Sequence, residues 1–245
     1  MRLIRAKNYD DMSLKAANII AAQVSLNPKS VLGSATGSTP IGTYRHLVEW
    51  YQKGELDFGK AVSINLDEYC GLSGDHPQSY RRFMRENLFD HINIPADRSF
   101  LPDGTQTDSA LECARYDRMI EEHNGIDLQL LGIGRNAHIG FNEPDSCFAC
   151  GTHQVTLTES TIAANTRFFE NEAQVPRQAY SMGMQAIMQA KRVLLIASGA
   201  DKAEAIRNSF FGPVTPQVPA SILQFHRDVI VIADEAALAD CPAEA

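Results

Sequence analysis

The chain has 245 residues, is 44% hydrophobic and carries a formal net charge of −8. That size suits one α/β domain spanning 1–245 with a substantial core, and no Pro/Ser-rich linker, charge block or 20–50-residue repeat divides it. An acidic balance without a basic stripe argues against nucleic acid as a partner. No apolar run approaches the ~20 residues of a membrane span, and "MRLIRAKNYD" lacks the apolar stretch of a secretion signal, so a cytoplasmic protein is expected.

The elements alternate along the chain. Residues 10–24, "DDMSLKAANIIAAQV", have helical spacing of apolar positions, and "SVLGSA" is a short strand running into glycine. "PIGTYRHLVEWYQKG" opens on a proline suited to a first helical turn and closes on Gly54. "AVSINL" is a second strand, and "PQSYRRFMRENLFDHI" and "DSALECARYDRMIEEHNG" are helices. The strands "IDLQLLGIG", "HQVTLT", "RVLLIAS" and "DVIVIAD" follow, with the helix "DKAEAIRNSFFG" between the last two. Short continuous apolar strands separated by helices predict a Rossmann-like, doubly wound α/β fold, its mostly parallel sheet covered by helices on both faces. In such sheets ligands bind beyond the carboxyl ends of the strands, so the segments after four of them carry the interest.

After "SVLG" comes "GSATGSTP". A glycine-containing turn rich in hydroxyls at a helix start offers N–H donors and partial positive charge to an anion, although the stretch also reads as a capped strand–helix turn. It is neither a Walker A loop nor G-x-G-x-x-G. After "AVSINL" comes "NLDEYCGL", where Asp67 and Glu68 are adjacent and so point in different directions. One of them can enter a site while the other pairs or caps. After "IDLQLLGIG" the stretch "GIGRNAHIGFNEP" places Asn136, His138 and Glu143 within eight residues. A carboxylate or amide beside an imidazole fixes its tautomer and raises its basicity. His138, Glu143 and His153 match no H-E-x-x-H spacing, so no metal is expected. After "RVLLIAS", Lys202 sits on the first turn of a helix, and Arg167 lies between aromatics in "TRFFEN". Either suits a phosphate, or simply solvent. The five cysteines read as free thiols, and "CFAC" as small buried side chains.

Together these segments resemble the glucosamine-6-phosphate deaminase family. The likeness runs nearly the full length of the chain through "GSATGSTPIGTY", "NLDEYCGL", "HPQSYRRFM", "GIGRNAHIGFNEP", "TRFFEN" with "VPRQAYSMG", and "SGADKA". The resemblance implies a sugar phosphate held by Gly37, Ser38 and Thr39 with Arg167 and Lys202. It implies Asp67 as the base at C2, and His138 as the acid–base of ring opening with Asn136 and Glu143 beside it. It implies no cofactor. The family more often has Asp-Gly where this chain has Asn136-Ala137. Asn136 can hydrogen-bond the imidazole without charging it, which leaves the charge to Glu143, and Ala137 is strained if its φ is positive.

The resemblance leaves two rivals. A 6-phosphogluconolactonase shares the fold but typically reads "ASLFP" where this chain has "GFNEP". A sugar-phosphate sensor domain follows a DNA-binding helix-turn-helix, whereas the α/β pattern here begins almost at residue 1. Preference for the gluco or galacto epimer is not legible. Some family members are hexamers activated by N-acetylglucosamine 6-phosphate through basic residues after "FNEP". Between Arg135 and Arg167 this chain has no Lys or Arg, and it stops soon after its last strand. A monomer or small homo-oligomer without activation is expected.

Overall fold

The computed structural model describes residues 1–242 apart from 167, 168, 170, 172 and 173, and the side chains of 160, 164 and 165 also fall outside it. In chain order the elements are β1 (Arg2–Ala6), α1 (Tyr9–Leu26), β2 (Val31–Ser34), α2 (Ile41–Gln52), β3 (Val62–Asn65), β4 (Asp67–Tyr69), α3 (Tyr80–Asn87) and β5 (Ser99–Phe100). There follow α4 (Ser109–Glu122), β6 (Leu128–Leu131), β7 (His153–Thr156), α5 (Glu159–Asn165), β8 (Gln178–Ser181), α6 (Met184–Gln189), β9 (Arg192–Ala197), α7 (Ala203–Phe211) and β10 (Val229–Asp234).

Seven strands form one parallel sheet in the order β1-β10-β9-β6-β2-β3-β5. Every residue of β10, and all of β9 after Arg192, is buried. Burial without alternation means that both faces of the sheet are covered, as the apolar runs predicted. From β2 the chain steps outward to β3 and β5, and from β6 it steps the opposite way to β9 and β10. The order therefore reverses between β2 and β6, the position at whose carboxyl ends sheets of this kind bind ligands.

The second sheet was not foreseen. Strands β4, β8 and β7 form a small antiparallel sheet with β8 in the middle. The chain passes from one sheet to the other across a single residue. Asn65 pairs with Ser34 in the parallel sheet, and Asp67 pairs with Ser181 in the antiparallel one. The backbone carbonyl of the intervening Leu66 accepts the Met182 N–H at 2.7 Å. The segment "HQVT" therefore does not join the main sheet. Its alternating burial marks it as the half-exposed edge of the small one.

Strands β1, β4, β5 and β8 and helices α5 and α6 were also not predicted. They are short, or, like β1, lie at a sheet edge with Arg2 and Arg5 exposed, so their sequences lack a core signature. Helix α3 ends at Asn87, earlier than its sequence suggested, and a separate 3-10 turn follows at Phe89–His91. Cys147 and Cys150 are exposed, not buried, because "CFAC" lies in an irregular surface segment before β7, and all five cysteines are free.

Candidate active site

The loop after β6 is built around a close backbone–ring contact. A Cβ on Gly134 would lie 2.3–2.5 Å from three atoms of the His138 imidazole, so only glycine leaves room for that ring. The loop closes through Gly134 N–H to the His138 carbonyl at 2.9 Å and Ala137 N–H to the Gly134 carbonyl at 3.0 Å. Ala137 makes the turn with φ of 65°. The strain anticipated for a non-glycine residue is thus present, at about 1–2 kcal/mol for a left-handed L-residue. Ala137 is buried, and its carbonyl accepts Ala220 N–H at 2.9 Å, which helps hold that conformation.

Asn136 does not touch the imidazole as the sequence suggested. The left-handed step at Ala137 folds the chain back. Asn136 Oδ1 then accepts the backbone N–H of His138 at 3.3 Å, and Asn136 Nδ2 donates to Glu143 Oε2 at 2.6 Å. The residue beside the ring is Glu143, with Oε2 3.5 Å from His138 Nδ1. Thr161 of α5 donates to its other oxygen, Oε1. Burial pushes the Glu143 carboxyl up, but His138, Thr161 and Asn136 outweigh it, and the net direction is down. Glu143 is therefore an anion placed to orient His138. Thr161, eighteen positions further along the chain, carried no sequence signal for this role.

Asp67 lies at the junction of the two sheets with 6% of its surface exposed. None of the described residues hydrogen-bonds its carboxylate. Burial first, and the charge of Glu68 second, push it up to about 8. The His138 loop runs past it: a Cβ on Gly140 would be 3.6 Å from Asp67 Oδ2 and 3.1 Å from Ser181 Oγ. Ser181 Oγ accepts Phe141 N–H at 3.0 Å, and Asn142 Nδ2 donates to the Ile139 and Met182 carbonyls at 2.8 and 2.9 Å. The loop is thereby tied to β8, the strand that also pairs with Asp67.

Glu68 turns the opposite way, as alternation along a strand requires. Its Oε1 accepts the Tyr69 and Tyr80 N–H groups and its Oε2 the Arg81 N–H, each at 2.9 Å. It caps α3 together with Ser79, whose hydroxyl accepts Arg82 N–H at 3.1 Å.

The loop after β2 has the features of an anion cradle. Gly37 has φ of +90° with open space around its Cβ position, so conformation and not crowding calls for glycine there. Helix α2 begins at Ile41 after Pro40, whose side chain makes no cap hydrogen bond, and the partial positive charge of the helix lies at this end. Tyr9 of α1 braces the loop from outside: its hydroxyl donates to the Ser38 carbonyl at 3.1 Å and accepts Gly42 N–H at 2.8 Å. Strands β2 and β9 flank β6 in the parallel sheet, so the segments that follow them, with Gly37–Thr39 and Lys202, leave the sheet at the same carboxyl end as the His138 loop. Lys202 ends the turn Ala200–Lys202 and lies 3.9 Å from Asp201, which Arg135 of the β6 loop also engages at 2.9 Å. Arg167 lies outside the described residues. Among the described residues no three His, Cys, Asp or Glu side chains group as a metal site. His153 Nδ1 is 3.1 Å from the Gly151 carbonyl.

Residues 7–232 match the family model of glucosamine-6-phosphate isomerases and 6-phosphogluconolactonase. The chain is 60% identical over 232 residues to a glucosamine-6-phosphate deaminase of Lachnoclostridium phytofermentans, covering 95% of this chain and 98% of that one. It is similar to the solved structure of a monomeric glucosamine-6-phosphate deaminase at a TM-score of 0.96 and 44% identity, covering 98% and 100% of the two chains. A 6-phosphogluconolactonase from Leishmania guyanensis shares the fold at a TM-score of 0.74 but only 20% identity, with 99% of each chain covered.

Proposed function

We propose a reaction for this chain from one premise: it belongs to the family of glucosamine-6-phosphate isomerases and 6-phosphogluconolactonases. Within that family it acts as a glucosamine-6-phosphate deaminase, converting glucosamine 6-phosphate and water to fructose 6-phosphate and ammonia. The relatives named above carry that activity in their names, and the lactonase likeness reaches no further than the fold.

The observation that carries this reading is Asp67, a buried carboxyl raised to about 8, packed beside the loop that bears the His138–Glu143 pair. The sugar is cyclic, and its ring must open before the C2 proton becomes acidic. Opening moves a proton between O1 and O5, a task for one bifunctional imidazole, and Glu143 supplies the negative charge that supports His138 while it carries that proton. Asp67 then takes the proton from C2. Below about pH 8 the free enzyme holds Asp67 protonated, and the amino group of the substrate, as an ammonium, favours the carboxylate that the step requires. Delivery of a proton to C1 leaves an imine at C2; water adds there and ammonia departs. Each such proton transfer is worth ~10²–10⁴-fold.

The phosphate binds at the Gly37, Ser38 and Thr39 turn, with Lys202 and Arg167 as its cations. The protein works in the cytoplasm as a monomer or small homo-oligomer. Residues 136–166 offer no Lys or Arg for a phosphorylated effector, and the structural relative above is itself described as monomeric. Among the described residues no helix is long and apolar enough to cross a membrane. Ammonia release with glucosamine 6-phosphate against galactosamine 6-phosphate tests the reaction. Turnover of neither would reject it, and a preference for the second would reassign the epimer.

A further inference from the structure

The two adjacent carboxylates of "NLDEY" leave one of them without a part in the chemistry. Glu68 is buried, and it spends both oxygens on backbone N–H groups, two of them at the start of α3. The first residue of that helix, Tyr80, reaches across to the active-site side. Its hydroxyl donates to the Tyr69 hydroxyl at 3.2 Å, and its ring stacks on Phe141 with centroids 6.0 Å apart and planes 14° from parallel. The Tyr69 ring lies 4.8 Å from Tyr80 and 5.7 Å from Phe141, which completes an aromatic triangle. Phe141 belongs to the His138 loop and stands 6.4 Å from the imidazole, centroid to centroid.

We propose that Glu68 is a positioning residue: it clamps the start of α3 to β4, so that Tyr80 is held against Phe141 and the His138 loop is held in register with Asp67. The inference rests on the reading of Asp67 and His138 as the reacting groups. A chain of contacts running through side chains that each have a fixed partner is what transmits a placement over this distance.

The clamp has an electrostatic side. Burial pushes both carboxyls up; at Glu68 three N–H donors oppose that rise, whereas none of the described residues hydrogen-bonds Asp67. The neighbouring Glu68 adds to the rise at Asp67, which therefore keeps its proton more readily. Around this pair, Tyr80 and Arg81 of α3 and Tyr116 of α4 interact with one or both carboxyls. Cys70 interacts with Glu68, and Arg115 and Asp103 line the same cavity as Glu68, with a volume of about 470 Å³.

Two substitutions separate the clamp from the charge. Glu68→Gln removes the charge and leaves one acceptor oxygen, with an NH₂ facing an N–H donor. Glu68→Asp keeps the charge but, one methylene shorter, cannot span Tyr80 and Arg81. With glucosamine 6-phosphate as substrate, both should lower kcat by ~10-fold or more with KM changed less than ~3-fold, since the phosphate contacts are untouched. The acid limb of kcat/KM should move to lower pH in Glu68→Gln, because a like charge beside Asp67 is gone, and stay in place in Glu68→Asp. Tyr80→Leu, which leaves Glu68 intact, should lower kcat without moving the limb, and it decides the matter if the Glu68 variants do not fold. If the variants lose thermal stability but turn over at the wild-type rate with an unmoved limb, Glu68 is only a helix cap and the inference falls. If Tyr80→Leu is fully active, the aromatic link falls. An inactive wild-type enzyme would reject the deaminase reading and this inference together; active wild type with unchanged variants rejects this inference alone.

Discussion

Gly134 and His138 touch across the three residues between them so closely that a single methyl group on Gly134 would overlap the imidazole, at 2.3 Å from its nearest atom. The glycine is there for the ring and not for its own backbone angle, since Gly134 is not among the residues of positive φ. Gly134→Ala should therefore displace His138 from Glu143 while leaving the Gly37–Thr39 turn intact. The expected result is a kcat lower by ~10²-fold or more with KM nearly unchanged. Steady-state kinetics on glucosamine 6-phosphate, with circular dichroism to confirm folding, checks it; a variant within a few-fold of wild type would mean that the ring has room to move without loss.

Asp67→Asn removes the proposed base and should cost several orders of magnitude in kcat while KM moves little, because no phosphate contact changes. The same variant tests the burial of the carboxyl. Its folded value of about 8 lies far above the ~3.9 of an unfolded aspartate. A raised value means that the folded state binds the proton more tightly. The stability this gives is complete below about pH 4 and is lost as pH rises toward 8. Asparagine does not titrate, so the melting temperature of Asp67→Asn relative to wild type should increase between pH 5 and pH 9. A constant difference over that range would show that Asp67 titrates as an ordinary carboxylate.

His138→Gln should impair turnover less than Asp67→Asn, since some open-chain sugar forms without help. Exchange of the C2 hydrogen with deuterated solvent, followed by NMR, should persist in this variant even where ammonia release is slow. Loss of exchange together with turnover would place His138 in the removal of the C2 proton itself.

Rate against substrate concentration should be hyperbolic, and millimolar N-acetylglucosamine 6-phosphate should leave it unchanged. A cation hydrogen-bonded to a phosphate is worth about 1.5–3 kcal/mol, and residues 136–166 contain no Lys or Arg to provide one. A sigmoidal curve that straightens when the compound is added would reveal an effector site elsewhere on the surface.

The amino-acid sequence by itself determined the parallel sheet, because strands buried on both faces must be apolar throughout, as in Val193–Ala197 and Val229–Asp234. It also determined where to look: the polar and glycine-rich stretches that follow four of those strands are local signals, and "NLDEY" and "HIGFNEP" carried the family with them. Tertiary structure alone decided what depends on residues far apart in the chain. The antiparallel sheet is such a case, since Asp67 meets Ser181 more than a hundred positions away. So are the Thr161 support of Glu143 and the Tyr9 brace on the Gly37–Thr39 turn. Asn136 bonds to Glu143 and not to the imidazole because Ala137 adopts φ of 65°, a backbone angle that alanine in a sequence does not announce. The proton affinity of Asp67 was equally illegible: "DE" reads the same whether exposed or buried, and only the closing of two sheets over the first carboxyl while α3 claims the second makes them unlike.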